Sequence, residues 1–419
     1  MHGGDQEYQA GLGTVLREWG RIGVIGFGGP PTHIALLRKL CVESKGWLDA
    51  AEFEDAIAAC NLLPGPASTE LAIFCAWRVR GRLGAIVGGL AFIVPGLIVI
   101  LVLAALFLAG SPPLWIRGAG AGAGAAVAAV AVQAGWMLLT PSWKRASARD
   151  AGSAGRARDA GSAGPARAAR IRWTVYLLAG GASAATIGPF LVLVLLGCGL
   201  FERAVRQRGR PAPRPGRWPG WLKGRRPAGT PVIAPLFPAV GAGVLASVAW
   251  VAFKVGALSF GGGFVIIPLM QADAVGRGWM TGAQFLNAVA LGQITPGPVV
   301  QTVAAVGYAA AGLPGGLLAS AVAFTPSFVF VLGGGRWFAG LRENLYAQSF
   351  LDGAGPAAIG AIFGAAIPLT RELSVGWQFA VLGGAAVLLL ALRRGVVLTL
   401  LSAAATGVII ALAGGPLPH

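Results

Sequence analysis

Apolar residues in this 419-residue chain gather into stretches near 57–77, 83–109, 119–140, 286–311, 315–334, 353–370, 377–392 and 395–413. An α-helix needs roughly 20 apolar residues to cross a bilayer, so each stretch predicts a membrane-embedded helix. The one at 83–109 is long enough to cross with a tilt, or with a kink at Pro95. Two shorter pieces, 174–187 and 189–201, are divided by Gly188-Pro189. Two further stretches are interrupted: 15–40 breaks at Gly28-Gly29-Pro30-Pro31, and 235–270 breaks at Gly261-Gly262-Gly263. Such breaks remove helix hydrogen bonds that a simple span keeps, which predicts broken or re-entrant segments.

The interruptions recur in order. Arg21, Phe27-Gly28-Gly29-Pro30, Lys45-Gly46-Trp47, Phe53 and Pro64-Gly65-Pro66 match Lys254, Phe260-Gly261-Gly262-Gly263, Arg277-Gly278-Trp279, Phe285 and Pro296-Gly297-Pro298, with a one-residue shift after the first glycines. Pro95 and Pro326 continue the series after one more residue of shift. Matches in one order over about 75 residues predict an internal duplication, each copy carrying a cation, a glycine-rich break and a Pro-Gly-Pro break.

Composition places the chain in the membrane class: 55% hydrophobic, 12% charged and 66 glycines, with a mean hydropathy of +0.70. The net charge of +17 comes mostly from residues 144–226, which hold 17 of the 33 Lys and Arg against Asp150, Asp159 and Glu202. Those cations stand among Gly, Ala, Ser and Pro without interleaved aromatics, so they read as cytoplasmic positive-inside loops and not as a nucleic-acid arm. The first 14 residues are polar, and no cleaved leader is expected. Cys41, Cys60, Cys75 and Cys198 have neither CxxC nor metal-ligand spacing and read as buried thiols.

Basic residues also set the topology. Arg78, Arg80 and Arg82, both linkers, Arg336 with Arg342, and Arg393 with Arg394 all face the cytoplasm only if the first broken segment of each copy enters and leaves on one side. An odd number of crossings per copy then remains, and the second copy is inverted. The expected fold is therefore an all-α polytopic membrane protein whose two homologous halves form an inverted repeat, with broken or re-entrant helices at the midplane. If 15–40 and 235–270 span fully, the repeat is parallel instead. Residues 1–140 and 173–201 make the first half and 231–419 the second. Residues 141–172, with Ala-Gly-Ser-Ala-Gly at 151 and 160, form a disordered basic linker, and 202–230 a basic Pro-rich one.

Glycine and proline at a break free backbone N–H groups and expose the positive end of the half-helix that follows, which suits an anion. Arg21 and Lys254 add full charge, and an unpaired charge at mid-bilayer costs about 2.5–3.5 kcal/mol. Either a bound oxyanion offsets it, or each cation snorkels or pairs with a carboxylate such as Glu18 or Glu70. Thr32, Asn61, Ser68, Thr69, Ser259, Gln293, Thr295, Gln301 and Thr302 stand at the breaks as candidate donors, with helix caps and interhelical contacts as the plainer alternative. His33 and Glu70 are candidate coupling groups, Glu70 alternatively the partner of Arg21. Gly118 to Gly124 alternates with alanine, but no strand precedes it, so close helix packing explains it better than a nucleotide loop. Trp47 and Trp279 suit interfacial anchoring. No Walker sequence, catalytic triad or metal site is read, so neither an enzyme nor a cofactor is expected.

Phe27-Gly-Gly-Pro-Pro-Thr-His33, Gly46-Trp47, Asn61-Leu-Leu-Pro-Gly-Pro-Ala-Ser-Thr69, Ser259-Phe-Gly-Gly-Gly263, Gly278-Trp279 and Gly292-Gln-Ile-Thr-Pro-Gly-Pro-Val299 resemble the two domains of the chromate ion transporter family, over nearly the whole chain except the linkers. The resemblance implies an inner-membrane carrier of two oppositely oriented halves that exports chromate and confers chromate resistance, with sulfate as mimic and competitor. Its motif residues fall on Arg21, Phe27, Gly28, Gly29, Pro30, Pro64, Gly65 and Pro66, and on Lys254, Phe260, Gly261, Gly262, Gly263, Pro296, Gly297 and Pro298. Chromate, sulfate and the lipid bilayer are the expected partners, a homo-dimer is compatible with them, and nucleic acid is not. A general sulfate-like oxyanion transporter is the nearest alternative, and an anion channel or membrane sensor the alternative from another class.

Overall fold

The computed structural model of the chain describes residues 10–61, 65–108, 112–154, 164–186, 190–207, 242–259, 265–334 and 344–418, and their side chains except at 145–166 and 242. Every regular element among the described residues is helical. Phe260 to Gly263 and Pro64 of the sequence motifs, Arg336 and Arg342, and most of the two linkers lie outside these residues.

In the first copy α1 (Leu12–Ile25) gives way at 26–29 to α2 (Pro30–Arg38). Gly28 and Gly29 have φ of +100° and +76°, a region in which a side chain clashes, and Pro30 and Pro31 fill the first turn, where a missing N–H costs nothing. The next helix, α3 (Ala50–Cys60), starts at Asp49, whose carboxylate accepts the Glu52 N–H at 2.7 Å. After Pro66 comes α4 (Ala67–Phe107). The second copy repeats this order: α8 (Ala242–Leu258), α9 (Ile266–Gly276), α10 (Gly282–Ile294) and α11 (Thr302–Gly334). α10 is capped at the position matching Asp49, where Thr281 accepts from Gln284 N at 3.2 Å and Gln284 reaches back.

α4 and α11 each fold back on themselves. Gly81 (φ +64°, after Arg80 at −141°) and Gly312 (φ +60°, after Ala311 at −150°) turn the chain at matching places. Residues eight apart on a straight helix are about 12 Å apart along its axis, yet a Cβ on Gly84 would meet the Ala76 carbonyl and one on Gly315 the Gly307 carbonyl. Each helix is therefore a hairpin of a short arm and a long one. The short arm of α4, from Ala67 to the turn, covers roughly 20 Å, two-thirds of a bilayer core. The spans expected at 57–77 and 286–311 are accordingly divided by the Pro-Gly-Pro breaks into α3 or α10 and a short arm.

The two copies also pack alike. α1 lies on the long arm of α4 with Gly23 against the Phe92 carbonyl, and α8 lies on the long arm of α11 with Gly256 against that of Ala323. Glycine lets the backbones touch where lipid supplies no hydrophobic drive between helices. α5 (Leu114–Ala154) crosses α14 (Val396–Leu412), Gly118 and Gly122 meeting the backbone of Gly407 and Ala403, so the alternating glycines serve helix packing as expected. α6 (Gly164–Thr186) and α7 (Leu191–Gln207) pack on α12 (Leu345–Arg371), and α13 (Gly376–Ala386) on α5.

The stretch read as a disordered linker is helical in its described parts: α5 continues to Ala154 and α6 begins at Gly164. Alanine is the strongest helix former, and a helix already nucleated in a span extends through it at little cost. The second linker also begins later than 202. Glu202 lies buried on α7, holding Arg172 (2.8 Å), Arg206 (2.7 Å) and the Tyr176 hydroxyl (3.0 Å).

Among the described residues, four helices are long and apolar enough to cross a membrane: Ala67–Phe107, Leu114–Lys144, Val299–Gly334 and Leu345–Arg371. Leu83, Ile98 and Val102 are more than half exposed along the long arm of α4, an apolar face suited to lipid.

Candidate functional site

The breaks of the two copies meet. At the first glycine break the Gly26 carbonyl points out of α1 and accepts two donors: His33 Nε2 at 2.8 Å and the backbone N–H of Gly297, in the second Pro-Gly-Pro, at 3.0 Å. A carbonyl only accepts, so Nε2 carries the imidazole proton and Nδ1 takes the Ser68 hydroxyl, 3.3 Å away on α4. His33 is fully buried, its ring edge-on to Phe92 at 5.0 Å. One imidazole thus ties the glycine break to the helix after the first Pro-Gly-Pro, and one backbone bond ties both to the other copy.

A second crossing lies beside it. The Gln301 side chain donates through Nε2 to the Ile93 carbonyl, and Gly96, one residue after Pro95, sits against the Pro296 carbonyl and Gln301 Oε1. The reciprocal crossing places Gly65 of the first copy against α11: a Cβ there would collide with Glu70 and lie 3.2 Å from Ser327 Oγ, one residue after Pro326. The Pro-Gly-Pro turn of each copy is therefore seated at the proline of the other copy's hairpin.

The polar residues of the crossing and of the neighbouring breaks are incompletely bonded. Thr69 Oγ1, Glu70 Oε1 and Oε2, Ser259 Oγ, Gln293 Nε2, Gln301 Oε1 and Ser327 Oγ are buried without a hydrogen-bond partner. A buried polar group left so costs about 1–3 kcal/mol, a penalty a bound ion or water removes. Thr295 and Thr302 bond the carbonyls of Gly292 and Val299 three residues back, the plain helix-end role. Pro66, Pro296, Gly297 and Pro298 are buried, Pro30 and Gly29 half-buried, and Phe27, Gly28 and Asn61 exposed.

The two cations do not fare alike. Lys254 pairs with Asp273 on α9, which also holds Arg277 at 3.6 Å. Arg21 is exposed on α1, and no carboxylate among the described residues pairs with it. Glu70 is not its partner, and Lys254 takes Asp273 in place of Glu18 or Glu70. Asp273, Ser327 and Gly96 were not among the candidates. A signal existed for Asp273, the only acidic residue between Glu202 and Glu343 in an apolar half that carries Lys254. None of the described residues forms a cluster suited to a metal ion.

Broken helices interlocked over a buried polar lining, within a bundle long and apolar enough to cross a bilayer, define a multi-pass membrane protein of the transporter type. The chain belongs to the chromate transporter family, whose model matches residues 13–203 and 246–408. It is 30% identical over 381 residues to the chromate transport protein of Cupriavidus metallidurans, covering 88% of this chain and 85% of that one. It is 29% identical over 366 residues to the chromate transport protein of Pseudomonas aeruginosa (84% and 79%), and 27% identical over 363 to a probable chromate transport protein of Synechococcus elongatus (84% and 83%). No solved structure matches it.

Proposed function

We propose that this chain is a secondary transporter that exports chromate across the inner membrane, in two halves of opposite orientation, and so confers chromate resistance. The observation that carries the reading is the crossing itself: breaks from both copies joined at the Gly26 carbonyl and lined by buried hydroxyl and amide groups with no acceptor of their own. A tetrahedral oxyanion offers such donors four acceptor oxygens, and Arg21 supplies an unpaired positive charge on the same broken segment. Two rigid hairpins seated in each other's proline kinks can rock about that contact, exposing the lining to either side in turn.

Charge supports the inversion. The turn of α4 is flanked by Arg78, Arg80 and Arg82, whereas the matching turn of α11 reads Ala309-Ala310-Ala311-Gly312 with no charge. Equivalent turns with unequal basic content belong on opposite faces of the membrane. Energetics favour export, since an inside-negative potential releases about 4.6 kcal/mol per 100 mV for an outgoing dianion. Inverted vesicles, with the cytoplasmic face outward, should accumulate labelled chromate saturably when an interior-positive potential is imposed. Accumulation of sulfate in preference to chromate would make the chain a general oxyanion carrier, and flux that never saturates would make it a channel.

A further inference from the structure

Among the described residues, Glu70 is the one carboxyl group of the crossing, and no cation balances it. It is 0% exposed, and both carboxyl oxygens lack a hydrogen-bond partner. No Lys or Arg among the described residues pairs with it. The groups around it are neutral: the Gly65 turn, the unpartnered Ser327 hydroxyl on α11, and the Cys60 thiol at the end of α3, within electrostatic reach. From α2, His33 approaches only as far as Ser68, and both its ring nitrogens are engaged. The long arm of α11, residues 313–334, contains no titratable side chain. A bare carboxylate in such a place costs several kcal/mol, and the group neutralises instead.

The internal repeat says what stands in this position when nothing ionises. Glu70 stands against Gly65 of its own Pro-Gly-Pro, itself beside Ser327 after the other copy's Pro326, as Gln301 stands against Gly297 of its own Pro-Gly-Pro and against Gly96 after the other copy's Pro95; the offset that superposes Gly81 on Gly312 and Pro95 on Pro326 makes the same match. Gln301 is neutral and uses its amide N–H to donate across the copies to Ile93. A carboxyl group matches that neutral donor in size and bonding only when it carries a proton.

We propose that Glu70 is a proton-binding site linked to the oxyanion: it holds a proton while the crossing is closed or holds the dianion, and gives that proton to water as the Glu70 carboxylate when the anion leaves and water fills the crossing in its place. Repulsion between a carboxylate and a dianion in one low-dielectric crossing sets the linkage, so anion binding takes up one proton and removing the proton weakens anion binding. This rests on the oxyanion reading above, and the measurements separate the two.

The purified full-length protein, in weakly buffered detergent with a pH indicator, should take up protons when chromate is added. Difference infrared spectra should show the carbonyl stretch of a protonated carboxyl in the chromate-bound protein. In wild type the half-saturation concentration should rise as pH rises, by up to about tenfold per unit, the limit for one linked proton. Glu70→Gln, which copies Gln301, should insert and transport with half-saturation independent of pH, apart from the substrate's own titration, which enters both proteins equally. It should take up no proton and lack the infrared band. The proposal is overturned if wild type binds chromate with no proton uptake and no such band, or if Glu70→Gln keeps the wild-type uptake and pH profile. Should the variant fail to accumulate, the two wild-type measurements decide alone. Vesicles that move no oxyanion, while chromate added to the wild-type protein still brings the proton uptake and the carboxyl band that Glu70→Gln lacks, would sink the transport reading and leave the linked protonation of Glu70 standing.

Discussion

Arg21 and Lys254 stand at matching places six residues before their Phe-Gly-Gly, yet the structure gives them different work. Lys254 is neutralised by Asp273 inside its own copy, while Arg21 keeps its charge. Arg21→Gln should therefore insert normally and raise the half-saturation for chromate ten- to hundredfold, the loss of a charged contact of about 1.5–3 kcal/mol. Lys254→Gln should act differently. It strands Asp273 against the more distant Arg277, destabilising the protein by about 1–3 kcal/mol, less than a fully buried pair because both side chains keep some exposure. Adding Asp273→Asn should restore stability and leave half-saturation near wild type. Detergent thermal unfolding and vesicle kinetics on the four proteins check this. Recovery of stability without recovery of affinity would place Lys254 at the oxyanion after all. The cation positions were legible in the sequence; the pairing was not, because it joins residues 19 apart across a break and depends on where α9 lies.

At the scale of elements, the hairpins decide the architecture. The sequence marks Gly-rich and Pro-Gly-Pro breaks plainly, because glycine and proline act through local backbone geometry. The turns of α4 and α11 fall in the gaps 78–82 and 312–314 that separate the apolar stretches; what the contacts of Gly84 with Ala76 and Gly315 with Gly307 add is that each reversal is made at one glycine, with helix running up to it on both sides. Both glycines pair a φ of about +60° with a ψ of about −155°, a region essentially restricted to glycine that costs a residue with a side chain on the order of 1–3 kcal/mol. Gly81→Ala and Gly312→Ala should each lower stability by about that amount, and together by the sum, since the turns belong to separate hairpins. Gly46→Ala, at φ +60° in an open loop, is the control for strain alone. A much larger loss at Gly81 or Gly312 would mean that the turn angle also sets how the Pro-Gly-Pro seat meets its partner.

At the scale of the whole molecule, the matched turns give a direct test of orientation. In a variant lacking Cys41, Cys60, Cys75 and Cys198, a single cysteine introduced by Arg80→Cys should react with an impermeant thiol reagent only from the cytoplasmic side. One introduced by Ala311→Cys should react only from the periplasmic side. Labelling of both from one side would make the repeat parallel.

The sequence by itself determined the membrane class, the duplication, the family and the places where helices break. These follow from composition, order and local backbone preference, all written along the chain. Tertiary structure alone decided that the Gly26 carbonyl of one copy accepts Gly297 of the other, that Asp273 answers Lys254, and that Glu70 is left without a partner. Those facts depend on which segments far apart in the chain come to share a few ångströms. A glutamate one residue after Ser68-Thr69 reads the same whether it meets an arginine or the neutral turn of a Pro-Gly-Pro, and only packing shows that it meets the Gly65 turn beside Ser327.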